Sequence, residues 1–204
     1  MTSSYFGNSE SETESRVFGI LDSASDLRRI SQEELVGCVS HLITGDPIRP
    51  DGLIVFPNRE EFRCLRGRRF ALEIKPDSVI RDHLKVISEL TEQARSYVDS
   101  KYYVKHRHFE VDGCIIYPGL ETILKQMQEY QQTYIEQKTE PYKSGVLDMH
   151  RRVLARQRIY ELVLMDHGFG VLCCDEWLCR YGGGHWRITG KNHQFQRKVG
   201  SKYR

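Results

Sequence analysis

Several absences narrow the field before any motif is considered. Nowhere do eighteen apolar residues run together, and the start of the chain carries neither the basic cluster nor the apolar run of a signal peptide. The expectation is a soluble, intracellular protein with no membrane partner. The six cysteines, Cys38, Cys64, Cys114, Cys173, Cys174 and Cys179, include no C-x-x-C pair. Without an export signal a disulfide framework is not expected. Gly182-Gly183-Gly184-His185-Trp186 is glycine-rich but lacks the Lys-Ser/Thr ending of a P-loop, so it reads as a turn before a short strand at 186–188.

Charge of one sign is missing at each end. The first fifteen residues hold Glu10, Glu12 and Glu14 but no Lys or Arg, and are rich in Ser and Thr. So little apolar surface cannot offset the entropy of ordering, which predicts a mobile acidic leader over 1–15. After Glu176 there is no acidic residue, while Arg180, Arg187, Lys191, Arg197, Lys198, Lys202 and Arg204 follow. A basic tail over 181–204 suits a polyanion, because each neutralised phosphate releases condensed counterions. A solvated, frayed end accounts for the same charges. What remains, 16–180, is the length of one domain, at about 100–200 residues per domain.

Periodicity then assigns elements. Leu35, Val36, Val39, Leu42 and Ile43 recur at helical spacing, and Ser31 with Glu34 has the spacing of a capping box, which predicts a helix over 31–43. Leu53-Ile54-Val55-Phe56, between Pro50-Asp51-Gly52 and Pro57-Asn58, reads as a strand. Phe70, Leu72 and Ile74 alternate with Ala71, Glu73 and Lys75, so a second strand follows and the two form a hairpin. Further helices are expected over 79–100, over the Gln-rich 120–138 and over 147–167, with strands over 109–117 and 171–174. The Gln-rich helix is a candidate surface for a homodimer or a protein partner. Helices alternating with strands indicate an α/β domain, a mixed central sheet flanked by helices.

The chemistry concentrates at the hairpin. Asp51 stands at the start of one strand, and Glu73 and Lys75 share a face of the next. If the strands pair, the two carboxylates approach each other. Two hard oxygen ligands with open positions suit Mg or Mn, with the Ile74 carbonyl as a further ligand. Lys75 would then orient an attacking water and stabilise charge growing on phosphorus. His83 and the run His106-Arg107-His108 match no ligand spacing and read as basic surface. Tyr102 and Tyr103 could stack on unpaired bases or close the edge of the core.

Taken together, RPDGLIVF and RRFALEIK resemble the PD-(D/E)XK, or restriction-endonuclease-like, nuclease signature, with Pro50-Asp51 as its "PD" and Glu73-Ile74-Lys75 as its "EXK". Gln93 and Tyr97 match a helix that the family often carries next, and Gly168-Phe169-Gly170 resembles the glycines before a late strand. The resemblance spans roughly 31–175. It implies a metal-dependent nuclease, DNA favoured over RNA, with Asp51 and Glu73 on the metal, Lys75 assisting the nucleophile and Gln93 supporting the site. Tyr97, Arg187, Lys191, Arg197 and Lys198 are the expected nucleic-acid contacts. The family commonly adds an acidic residue on a first helix, followed by a strand. Glu33, Glu34 and His41 are the candidates for that further ligand, Glu34 foremost; the strand could lie earlier, or the first helix could run from Glu14 to Arg28. Some nucleases of this superfamily hold an iron–sulfur cluster. Cys38, Cys173, Cys174 and Cys179 match its ligands by count only, and adjacent cysteines in a strand point to opposite faces. The rival readings are a non-catalytic nucleic-acid-binding protein and, from Leu-Glu-Ile-Lys-Pro, a relative of the inositol-phosphate kinases. The kinase reading leaves Asp51 unexplained.

Overall fold

The alternation at Phe70, Leu72 and Ile74 produces a strand buried on both faces. In the computed structural model, which describes residues 10–24, 27–62, 64–76, 83–120, 122–123, 144–165, 168–174 and 176–182, this strand is β4 (Arg69–Ile74). Before it come α1 (Glu10–Asp22), β1 (Arg28–Ser31), the one-turn α2 (Gln32–Leu35), β2 (Val39–His41) and β3 (Gly52–Val55). After it come α3 (His83–Val98), β5 (Ser100–Val104), β6 (Arg107–Phe109), β7 (Gly113–Tyr117), α4 (Ser144–Arg156), β8 (Ile159–Met165), β9 (Gly168–Cys173) and β10 (Glu176–Tyr181). The protein is mixed α/β. Seven strands form one sheet in the order β1-β3-β4-β7-β8-β9-β10, and β2-β5-β6 form a smaller one.

Strands β1, β3 and β4 form an antiparallel meander. β7 lies parallel to β4, reached through α3, and β8 is parallel to β7. Phe70, Leu72 and Ile74 pack with Val17 and Leu21 of α1 and with Ile54 and Phe56, whereas Ala71 packs with Leu90, Ala94, Tyr97 and Val98 of α3. Those four α3 residues recur at i, i+4, i+7 and i+8, one helical stripe. Phe70 is fully buried, edge-on to Phe56 at 5.6 Å and to Tyr160 at 5.4 Å. Phe70→Ala is expected to cost about 3–5 kcal/mol in urea unfolding. A loss below about 1 kcal/mol would contradict this packing.

Four expectations require correction. The helix over 31–43 lasts one turn: its capping box is present, but Gly37 takes a left-handed φ of 71° and Val39 enters a strand opposite Tyr102. Val36, Leu42 and Ile43 are exposed, so their helical spacing is not a buried stripe. The helix over 147–167 ends at Arg156, Arg158 turns the chain with φ 59°, and the apolar run that follows is strand β8. Such a run fits either period until parallel pairing with β7 decides it. The strand over 109–117 divides between β6 and β7, which belong to different sheets.

The fourth concerns the leader. Glu10 already belongs to α1, where Thr13, Val17 and Leu21 are buried at successive i, i+4 positions. The apolar residues beyond position 15 hold the acidic turn that precedes them. At the far edge, Gly170 lies in β9 because a Cβ there would enter the Trp177 ring. Tyr181 ends β10, stacked on Phe62 and Phe169. The glycine run after Gly182, the strand at 186–188 and the Gln-rich segment 124–138 lie outside the described residues. Among the described residues no helix is long and apolar enough to cross a membrane.

Candidate active site

The antiparallel register sets Gly52 opposite Leu72, which places Asp51 across from Glu73. The Asp51 N–H donates to the Leu72 carbonyl at 3.0 Å, extending the ladder by one residue. Its carboxylate then turns back over β4: Oδ2 accepts the Ile74 N–H at 2.6 Å, and Oδ1 accepts Gln32 Nε2 at 3.3 Å. Ile74, expected near the metal through its carbonyl, is thus tied to Asp51 through its amide.

Glu73 is 1% exposed, on the face of β4 covered by α3. Tyr97 Oη donates to its Oε2 at 2.6 Å, and Lys75 Nζ lies 2.7 Å from its Oε1. Tyr97 is itself held, since its carbonyl accepts the Tyr102 hydroxyl at 3.1 Å. Its expected role as a nucleic-acid contact is therefore corrected. The ring is buried and its hydroxyl is aimed at Glu73, which pushes the phenol well above its ordinary pKa by burial and by the adjacent carboxylate. Gln93, one turn earlier on α3, has a buried Oε1 with no hydrogen-bond partner.

The helical carboxylates that approach Lys75 are those of α1. Glu10 Oε1 lies 3.8 Å from Lys75 Nζ. Glu14 is close enough to the cluster that burial, Glu10 and Glu73 together raise its pKa. Glu34 is engaged elsewhere: its carboxylate accepts the Ser31 N–H at 3.1 Å to close the capping box, and it is exposed. Glu33 is likewise exposed on that turn. His41 is a strand residue whose Nδ1 accepts the Ile43 and Thr44 N–H groups, a turn-forming role. Arg187, Lys191, Arg197 and Lys198 lie outside the described residues, as does the His83 side chain.

The electrostatics follow from this crowding. Burial first, then the neighbouring Glu73 charge, push Asp51 up to about 7, against the lowering effect of the Ile74 N–H. Burial works against the Lys75 charge, but its hydrogen bond to Glu73 and the surrounding carboxylates raise its pKa on balance. Asp51, Glu73, Glu10 and Glu14 face a single ammonium. Glu73 is buried, Asp51 and Glu14 are half-buried and Glu10 is exposed, and carboxylates in excess of cations favour a further cation. The side chains are not gathered into a cation site: among the described residues no group of three or more His, Cys, Asp or Glu converges as metal ligands. Lys75 takes the place on Glu73 that a cation would take.

Sequence reasoning missed Gln32, Glu10 and the inward turn of Tyr97. The first helix had a signal in the i, i+4 spacing of Thr13, Val17 and Leu21, whereas Gln32 had none. Compared with known proteins, the sequence matches no family model and no curated protein, and the fold matches no solved structure.

Proposed function

We propose that the protein is a metal-dependent nuclease of the PD-(D/E)XK type, hydrolysing phosphodiester bonds in nucleic acid, with DNA favoured over RNA. The observation that carries this reading is Asp51 facing Glu73 across two paired strands, with Lys75 on the Glu73 carboxylate. Support comes also from the order of elements. An acidic helix and a strand come before the Asp51 strand, with α2 and β2 interposed, and the Glu73–Lys75 strand and a helix bearing Gln93 and Tyr97 follow it, an order the family resemblance implies apart from the insertion.

Asp51, Glu73 and the Ile74 carbonyl would hold Mg or Mn, with Glu14 or Glu10 in the position first expected of Glu34. A divalent cation there would polarise the scissile phosphate and acidify a bound water. The protein's own part is to supply the charge and to aim it. Tyr97 fixes the Glu73 carboxylate, the Ile74 amide fixes Asp51, and Lys75, released from Glu73, orients the water. Gln93 offers an unused buried acceptor one turn from Tyr97. The intracellular, soluble setting expected from the sequence suits such an enzyme.

A non-catalytic nucleic-acid-binding protein is the second reading. It is favoured by the closed Lys75–Glu73 pair, which places a counter-charge on the buried carboxylate without metal. Incubation with single- and double-stranded DNA and RNA, in Mn²⁺, Mg²⁺ or EDTA, separates the two. Cleavage is expected with metal only, and is expected to be lost in Asp51→Ala and Lys75→Ala. Cleavage that survives EDTA or either substitution overturns the nuclease reading.

A further inference from the structure

A second charged feature lies at the opposite end of β4. The register aligns Arg28, Val55 and Arg69 across β1, β3 and β4, so the three side chains share one face. Facing them is the β5–β6 hairpin. Its turn residues Lys105 and His106 have left-handed φ of 51° and 63°, the two-residue form that matches strand twist. Between hairpin and sheet runs a groove of about 500 Å³ with an apolar floor that includes Leu53 and Val55 and a rim of Arg28, Arg69, Lys105 and Arg107.

Among the described residues, no acidic one lines this groove. Arg28, Lys105 and Arg107 are exposed and make no ion pair with any described residue. Asp112, close in sequence, spends its Oδ2 on the Arg69 N–H at 2.8 Å. The Arg69 guanidinium is held over the Phe109 ring at 4.9 Å, and the other aromatic neighbour of Phe109 is Tyr102 at 5.5 Å. Four cations in one concavity repel one another until an anion enters. Phosphates in a chain satisfy them best, because the charges come from separate strands and spread along an open rim. From Arg69 to Glu73 is four residues, about 13 Å at roughly 3.3 Å per residue. The groove is therefore distinct from the carboxylate cluster.

We propose that this groove binds the phosphate backbone of a single-stranded nucleic acid, Arg28, Arg69, Lys105 and Arg107 each taking phosphate oxygens. The binding needs no metal and does not depend on the carboxylates being catalytic. The test uses the full chain in EDTA with a fluorescent single-stranded 12-mer, DNA or RNA, with inorganic phosphate and AMP as competitors. Arg28→Glu with Arg107→Glu is expected to raise Kd at least tenfold. Losing two phosphate contacts should flatten the log Kd against log salt slope by about 1.4, at about 0.7 per contact on a single strand. Arg28→Gln with Arg107→Gln loses the same two contacts, so it should flatten the slope equally while raising Kd by less, and it keeps the test decisive should the charge reversal fail to fold. Unchanged affinity and slope in a folded variant overturn the proposal. So does competition by phosphate or AMP at the oligonucleotide's own concentration, which would make the groove a small-anion site. Because EDTA removes cleavage, a failure here is distinct from a failure of the nuclease reading.

Discussion

Lys75→Met is expected to reduce metal-dependent cleavage by about 10²–10³-fold, as when one preorganised charged donor is removed from a reacting centre. The same substitution has a second effect that needs no substrate. Glu73 is 1% exposed, and the Lys75 ammonium is its counter-charge. Breaking a fully buried pair costs about 3–5 kcal/mol. Lys75 is about a quarter exposed, so a loss of about 1–3 kcal/mol is expected here after discounting for solvent screening. Mn²⁺ should restore part of the lost Tm, since a cation can occupy the position the ammonium left. A variant that unfolds like the parent at pH 8, or gains nothing from Mn²⁺, would mean that Lys75 and a metal do not compete for Glu73.

Asp51→Asn should do the opposite to stability while still abolishing cleavage. Burial and Glu73 raise the Asp51 pKa from 3.8 to about 7. The sign follows from proton binding. Between these values the folded chain holds a proton that the unfolded chain has released, so the stabilisation present below about 4 is lost as pH rises through 7. Above that, the ionised carboxylate is a standing penalty. The gap caps it at about 4 kcal/mol, at 1.36 kcal/mol per unit, and sharing between two neighbouring carboxylates reduces it to about 1–3 kcal/mol. Asparagine keeps the acceptor for the Ile74 N–H and turns its amide toward Gln32, whose own carboxamide can flip to accept it. Thermal unfolding in EDTA should therefore show the variant more stable at pH 8, with the difference shrinking steadily as pH falls toward 4. A less stable variant at pH 8 would place the Asp51 charge in a favourable setting and remove the argument for a cation. Under the proposed function, the charge that weakens the resting protein is the one a metal would need, the usual compromise at functional sites.

Both effects trace to residues whose pattern was local. Alternation at Phe70, Leu72 and Ile74 put Glu73 and Lys75 on one face, and the turn at Pro50-Asp51-Gly52 started the partner strand. Hairpin register then made the meeting of Asp51 and Glu73 readable before any coordinates. What was not readable depended on distant packing. Glu10 and Glu14 reach the cluster because Val17 and Leu21 dock on the opposite side of the sheet, a fact no window around Glu73 contains. The runs at 31–43 and 159–165 fit helical and extended periods alike. Partners decided them: Tyr102 for Val39, and β7 for β8. Tyr97 was placed on the right helix, but its direction depends on how α3 rolls against β4. The Arg28–Arg69 alignment required the pairing of β1 with β3, and periodicity alone had not assigned a strand over 28–31.

The two core clusters meet at β4, which is paired on both edges and covered on both faces. Its amides have no local route to solvent, so they should open only when the whole domain opens. Glu73 thus sits on a segment that is either fully in place or absent with the rest of the fold. Lys75, at the strand's end and partly exposed, is the part of the centre free to change position without that cost. Under the proposed nuclease function, whatever adjusts during catalysis would be a side chain moving over an immobile floor, and an inactive but folded species would arise at Lys75 or at the end of α1 rather than by loss of the strand itself.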